Sequence, residues 1–295
     1  MQVKAPAKLN LNLHVLPQLN KNGLYPIRFV NCQLDLSDEI NLILQSKKIE
    51  VSCQYDDICH CNKKNLCRGK KNLVIKAAEI LRKRFGTPEL GVEIFINKRI
   101  PPKVGLAGGS ADAAAVLNGL NNLWQLRLSQ RQLLKIAQQL GMDVQYCLVG
   151  GLCTVEGRKG EKIKKLRYSL PKYWLVIVVP SQEKPSTAWA YKNLDRSKIG
   201  RNTHKIEKLI KAIAKKDLVG ITKNLHNDFE TVIFKKYPQI ENIKKKLEEY
   251  GALKTILAGS GLALVAFFKD RNQARKCYNN LCLGTEKVFL TSLLT

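Results

Sequence analysis

Pro101-Pro-Lys-Val-Gly105-Leu-Ala-Gly108-Gly109-Ser110 is the stretch from which the rest of the chain is most readily read. It follows Gly91-Val-Glu-Ile-Phe-Ile-Asn97, which alternates apolar and polar side chains like a strand, and precedes an alanine-rich run that predicts a helix from about Ala111 to Trp124. Strand, glycine turn and helix in that order gather backbone N–H groups around one point, and the helix start adds roughly half a positive charge there. Such a turn suits an anion, above all phosphate. Its spacing is neither the Gly-x-x-x-x-Gly-Lys-Ser/Thr of a P-loop nor a Gly-x-Gly-x-x-Gly dinucleotide turn. It is not a Gly-x-Ser-x-Gly elbow either, since Asp112 stands two places after Ser110. A tight packing turn with no ligand is the alternative reading of these glycines.

Working outward, Leu9 to Val15 alternates with the period of a half-buried strand and puts Lys8, Asn10, Asn12 and His14 on one face. Further strands are expected at Ile27–Leu36 and Ile40–Leu44, and a helix over Leu73–Phe85. Ser129 and Gln132 form a capping box that opens a helix ending at Leu140. Past the glycines at 150–160, strands at Leu152–Val155 and Trp174–Val179 alternate with helices near Ile206–Ile213 and Ile240–Tyr250. The chain then continues through Gly259-Ser-Gly261 to a helix at Asn272–Leu281 and a strand near Val288. This order predicts an α+β protein of two domains, 1–160 and 161–295, the second an α/β sandwich on an antiparallel sheet. At 295 residues, two ordinary cores are favoured over a single large one.

With 45% hydrophobic and 25% charged residues, the composition excludes a disordered or collagen-like chain. Apolar stretches fall short of the ~20 residues of a membrane span. Lysines near the N-terminus interrupt any signal-peptide core, so a cytoplasmic location is expected. Fifty Lys plus Arg against 24 Asp plus Glu give a formal charge of +26, read either as a lysine-rich solvated surface or as a field for polyanions such as nucleic acid or phosphorylated small molecules. Nine cysteines, an odd number, argue for core thiols over a disulfide framework. Cys53, Cys59, His60, Cys61 and Cys67 carry metal-ligand chemistry without the paired spacing of a zinc ribbon.

The glycine turn resembles the second motif of the GHMP kinases. Pro6-Ala-Lys8-Leu-Asn10-Leu resembles their first motif and Ala258-Gly259-Ser260-Gly261 their third, so the resemblance spans nearly the whole chain. Within that superfamily, Asn72-Leu-Val, Asn97-Lys98-Arg, Gly141-Met-Asp143-Val and Glu156-Gly-Arg-Lys-Gly-Glu161 are similar to the branch that phosphorylates the 2-hydroxyl of 4-diphosphocytidyl-2-C-methyl-D-erythritol in non-mevalonate isoprenoid synthesis. The resemblance implies a ribosomal-protein-like N-terminal domain that binds ATP, a ferredoxin-like C-terminal domain and an active site in the cleft between them. Asp143 is then the catalytic base and Lys8 the lysine that holds it. Asn72 and Lys98 line the adenosine side, and Gly105, Gly108, Gly109 and Ser110 the triphosphate. Asn10 meets the acceptor alcohol, Tyr25 and Tyr191 sandwich the cytosine, and Lys159 lies near it. Mg2+ bridges ATP phosphates, and no protein carboxylate is assigned to it.

The chain departs from the family pattern in places. Pro26 follows Tyr25 where the family has His, and it has no side-chain or backbone donor for a pyrimidine. Lys103 and Ala107 stand where glycines are common; Ala107 is tolerated unless the backbone there needs positive φ, and Lys103 adds a charge suited to phosphate. Ala111 replaces a second serine, and Gln145 a proline. A GHMP kinase for another small alcohol, or a basic RNA-binding protein on a related fold, are the alternatives these departures leave.

Overall fold

The computed structural model describes residues 1–19, 23, 25–55, 72–282, 284 and 286–294. Strand β1 (Gln2–Val15) is longer than its alternation suggests and pairs antiparallel with β2 (Ile27–Ser46). The two strands expected within 27–44 are one. The polar residue between them, Asp38, is fully buried, and its carboxylate accepts hydrogen bonds from Lys98 and from the backbone N–H groups of Arg99 and Ile100. A satisfied carboxylate removes the reason for the chain to leave the sheet.

Next come β3 (Ile49–Tyr55), α1 (Leu73–Phe85), β4 (Leu90–Lys98), α2 (Gly108–Leu123), α3 (Gln130–Leu140), α4 (Met142–Val149), β5 (Cys153–Gly157) and β6 (Lys162–Lys165). The long β2 serves two neighbours in succession: Ile27–Asn31 pairs with β5, and Glu39–Ser46 with β4. Helix α3 opens with the expected Ser129–Gln132 capping box. Helix α2 starts before the expected Ala111 because Gly108 and Gly109 join its first turn, with Ala107 as a left-handed cap.

The second half contributes β7 (Trp174–Val179), α5 (Thr187–Lys192), α6 (His204–Ala214), α7 (Leu218–Lys223), β8 (His226–Asn227), α8 (Glu230–Lys236), α9 (Pro238–Glu249), β9 (Lys254–Leu257), β10 (Leu264–Phe268), α10 (Arg271–Cys282) and β11 (Lys287–Ser292). Its sheet is ordered β11-β7-β10-β9, all antiparallel. That is the fourth-first-third-second order of a ferredoxin-like domain, and the first sheet is ordered β3-β4-β2-β1-β8 with β5 attached to β2 and β6 to β5. Strand β6 still belongs to the first sheet and β8 rejoins it beside β1, so the hydrogen bonding does not part at residue 160.

Strand periodicity distributes the cores. Leu175 and Ile177 of β7 face a core shared with Leu9, Leu11 and Val30 of the first sheet, whereas Val176 and Val178 face the core containing Ile240, Leu247 and Ala274 of α9 and α10. A strand buried on both faces reads as the unbroken apolar run Trp174–Val179. A third core lies between the first sheet and α1, α2 and α3. Among the described residues no helix is long and apolar enough to cross a membrane. Cys32, Cys147, Cys153, Cys277 and Cys282 are free thiols. Cys53 lies on β3, and Cys59, His60, Cys61 and Cys67 fall outside the described residues.

Candidate active site

Residues far apart in sequence meet around a cleft of about 440 Å³. The glycine turn after β4 forms one wall and packs directly against the Ala258–Gly261 turn after β9. A side chain at Gly105 would place its Cβ 1.8 Å from the Ala258 carbonyl oxygen, and one at Gly261 would place it 1.9 Å from that of Val104. Only hydrogen atoms fit between these backbones. The N-terminal strand is tied to the same turn by a 3.1 Å hydrogen bond from Lys8 N–H to the Leu106 carbonyl. The three motifs therefore converge through backbone contacts.

The Lys8 side chain is buried, and its Nζ lies 3.7 Å from Asp143 Oδ1. It donates to Asn10 Oδ1 at 2.8 Å, and Asn10 Nδ2 donates to Asn31 Oδ1 at 2.6 Å. This relay fixes the ammonium, and it engages both ends of the buried Asn10 amide. Asp143 stands in the first turn of α4, where the helix start favours a negative charge. About a third of its side chain is exposed, at the cleft.

Gly108, Gly109 and Ser110 form the first turn of α2 and line the cleft together with Gly105 and Lys103. Both substitutions in the turn fall where a left-handed backbone is required: Lys103 has φ 63° and Ala107 φ 58°. Ala107 therefore carries a backbone strain that glycine would not.

Asn72 caps α1, its Oδ1 accepting from Val74 N–H at 2.8 Å, and lines the cleft. Lys98 lines it too, with its ammonium between two carboxylates: it donates to Asp38 and, at 2.6 Å, to Asp112 Oδ2. Burial alone would lower the Lys98 pKa, but the two acids raise it above the ordinary lysine value. Burial pushes the Asp112 carboxyl up to about 8, against the pull of Lys98. Asp112 Oδ1 is buried with no hydrogen-bond partner among the described residues.

Tyr25 and Tyr191 lie nearly parallel, at 18° with centroids 6.4 Å apart. Tyr191 lines the cleft, and burial and the Asp143 charge push its hydroxyl above the usual tyrosine value. Lys159 is not among the lining residues. Its side chain is exposed on the turn between β5 and β6, where its carbonyl accepts from Gln145 and its N–H donates to Glu161. Asp38, Asp112, Asn31 and Lys184 escaped the sequence reading. Lone polar residues inside apolar strands were the available signal for Asn31 and Asp38, and motif membership for Asp112.

Comparison with known proteins shows the family. A model of the GHMP kinases N terminal domain matches residues 72–151, and one of the GHMP kinases C terminal matches residues 209–284. The chain is 39% identical over 292 residues to a 4-diphosphocytidyl-2-C-methyl-D-erythritol kinase of Caldicellulosiruptor bescii, covering 99% of this chain and 98% of the relative. It is 37% identical over 291 residues to the kinase of that name from Clostridium kluyveri, covering 99% of each chain. A crystal structure of a 4-(cytidine 5'-diphospho)-2C-methyl-D-erythritol kinase superposes with a TM-score of 0.81 at 26% identity, covering 100% of both chains. A mevalonate kinase of L. major, at 16% identity and TM-score 0.73 over 99% and 95% of the chains, shares the fold.

Proposed function

The chain belongs to the GHMP kinase family of small-molecule kinases, and from that premise we propose that it transfers the γ-phosphoryl group of ATP to the 2-hydroxyl of 4-diphosphocytidyl-2-C-methyl-D-erythritol. The observation that carries the chemistry is the 3.7 Å approach of Lys8 and Asp143 beside the glycine turn. Asp143 accepts the proton of the acceptor hydroxyl as the oxygen attacks, a step in which a positioned base contributes ~10²–10⁴-fold. Lys8, held by Asn10 and Asn31, keeps the carboxylate in place and places its charge beside the phosphoryl oxygens as they develop charge. The Gly105–Ser110 backbone and the start of α2 receive the triphosphate, and Asn72 stands on the adenosine side.

Mg2+ fits this site. A buried Asp112 oxygen without a partner among the described residues and the Ser110 hydroxyl, both near the start of α2 and lining the cleft, are hard-oxygen donors such an ion takes, and these two residues would hold it. When bound, the ion supplies charge neutralisation across phosphate oxygens. Lys98, already paired with Asp38 and Asp112, acts by holding Asp112 and the base of the glycine turn.

On the acceptor side, Tyr191 lines the cleft with Tyr25 buried and nearly parallel to it at a centroid distance of 6.4 Å, an aromatic pair that supports stacking of the cytosine. With Pro26 unable to donate, stacking carries more of that recognition here. Turnover with a panel of alcohols tests the acceptor, and Asp143→Asn tests the base. The variant is expected to lose phosphoryl transfer while still binding ATP. A variant that turns over near the wild-type rate refutes Asp143 as base, and preference for an acceptor lacking cytidine refutes the assigned substrate.

A further inference from the structure

Among the described residues, two ammonium groups of the cleft, those of Lys103 and Lys184, have no carboxylate within 4.0 Å. Lys184 lies between β7 and α5, is half-buried, and lines the same cleft as Asp143 and Tyr191. Its Nζ reaches Thr187 Oγ1 at 3.4 Å, and among the described residues no carboxylate lies within 4.0 Å of it. Lys8 faces Asp143, Lys98 faces two acids and Lys103 belongs to the glycine turn, which leaves Lys184 as the cation without an acid beside α5. Burial draws its pKa down to about 8, which means that the protein around it does not supply the opposite charge.

Its place in the wall indicates what would. Thr187 and Tyr191 are four residues apart on α5 and therefore share one face, about one helical turn or ~6 Å from each other. Lys184 is joined to the Thr187 end of that face. The phosphates of a nucleoside diphosphate whose base stacked on Tyr191 would meet this wall, while the glycine turn proposed for the other nucleotide opens α2. We propose that Lys184, with the Thr187 hydroxyl, binds the diphosphate of a nucleoside-diphosphate-linked acceptor. The proposal rests on the acceptor assigned above and adds the group that reads its charge.

The test is calorimetry on the full chain with a non-hydrolysable ATP analogue at saturation, so that the glycine turn is filled and added diphosphate meets only the acceptor side. CDP and cytidine are titrated in parallel. Charge-assisted hydrogen bonds make CDP bind at least ~10-fold more tightly than cytidine. Lys184→Met removes most of that preference, and Lys184→Arg retains it. In turnover, the acceptor KM of Lys184→Met rises ~10-fold while the KM for ATP is unchanged. A Lys184→Met variant that keeps the wild-type preference for CDP overturns the proposal and leaves the kinase reaction standing. Equal binding of CDP and cytidine by a wild-type enzyme that turns over the acceptor does the same. A wild-type enzyme that turns over no cytidine diphosphate-linked acceptor overturns both assignments.

Discussion

Gly261→Ala inserts one methyl group into the contact that joins the second and third glycine turns. Its Cβ would lie 1.9 Å from the Val104 carbonyl oxygen, 2.1 Å from its carbon and 2.4 Å from Gly105 N, where real Cβ atoms do not approach closer than 3.0 Å. All three neighbours are backbone, so no side chain can swing away. The turns must separate by roughly 1 Å, and a displacement of that size at an active site costs on the order of 10²-fold in rate. Gly261 is not among the residues with positive φ, so the effect is steric and alanine's own backbone preference is not at issue. Overpacking of this kind also costs about 1–3 kcal/mol of stability. The assay is kcat/KM for ATP-dependent phosphorylation together with a thermal melt. Gly109→Ala is the stability control, because its Cβ meets nothing within 4 Å. A Gly261→Ala enzyme within three-fold of wild-type kcat/KM and with an unshifted melt would refute the claim that close backbone contact between the turns positions the phosphoryl group.

Two further outcomes follow from the same structure. Ala107→Gly relieves a left-handed residue at φ 58°, a strain of ~1–2 kcal/mol partly offset by the extra freedom of glycine in the unfolded chain, so the melting temperature rises by a few degrees; an unchanged or lower value contradicts it. Stability is also expected to fall on the acid side of about pH 6.5, where unfolded histidine takes up a proton. His14 is fully buried, and burial, opposed by Asp228 and reinforced by His226 and Lys205, holds its pKa below the ordinary value. The unfolded state therefore binds the proton first, and each pH unit down to the folded pKa removes at most ~1.4 kcal/mol. Urea titrations of wild type and His14→Gln from pH 7 to 5 check this, and parallel pH slopes for the two proteins would exclude His14 as the source.

Much of the architecture was legible because it is written in local periods. The helical spacing of Leu73–Phe85 and the Ser129–Gln132 capping box both have their counterparts in α1 and α3. The continuity of β2 was not legible. Asp38 looks like a strand breaker until Lys98, Arg99 and Ile100 arrive from β4 and the turn after it. The left-handed backbone at Lys103 and Ala107 was hidden for a similar reason, since neither residue type announces positive φ.

Taken alone, the sequence pointed to phosphate at the Gly105–Ser110 turn, because residue type and order encode what a short segment can do, and its resemblance to the GHMP kinases implied Lys8 and Asp143 as the residues to bring to it. Only the tertiary structure decided that Lys8 is braced by Asn10 and Asn31, that Lys98 is committed to Asp38 and Asp112, that Lys159 lies off the cleft and that Lys184 lies on it. Those facts depend on burial and on partners from distant segments. A side chain's charge environment is a property of the packed molecule, and neighbours along the chain do not specify it.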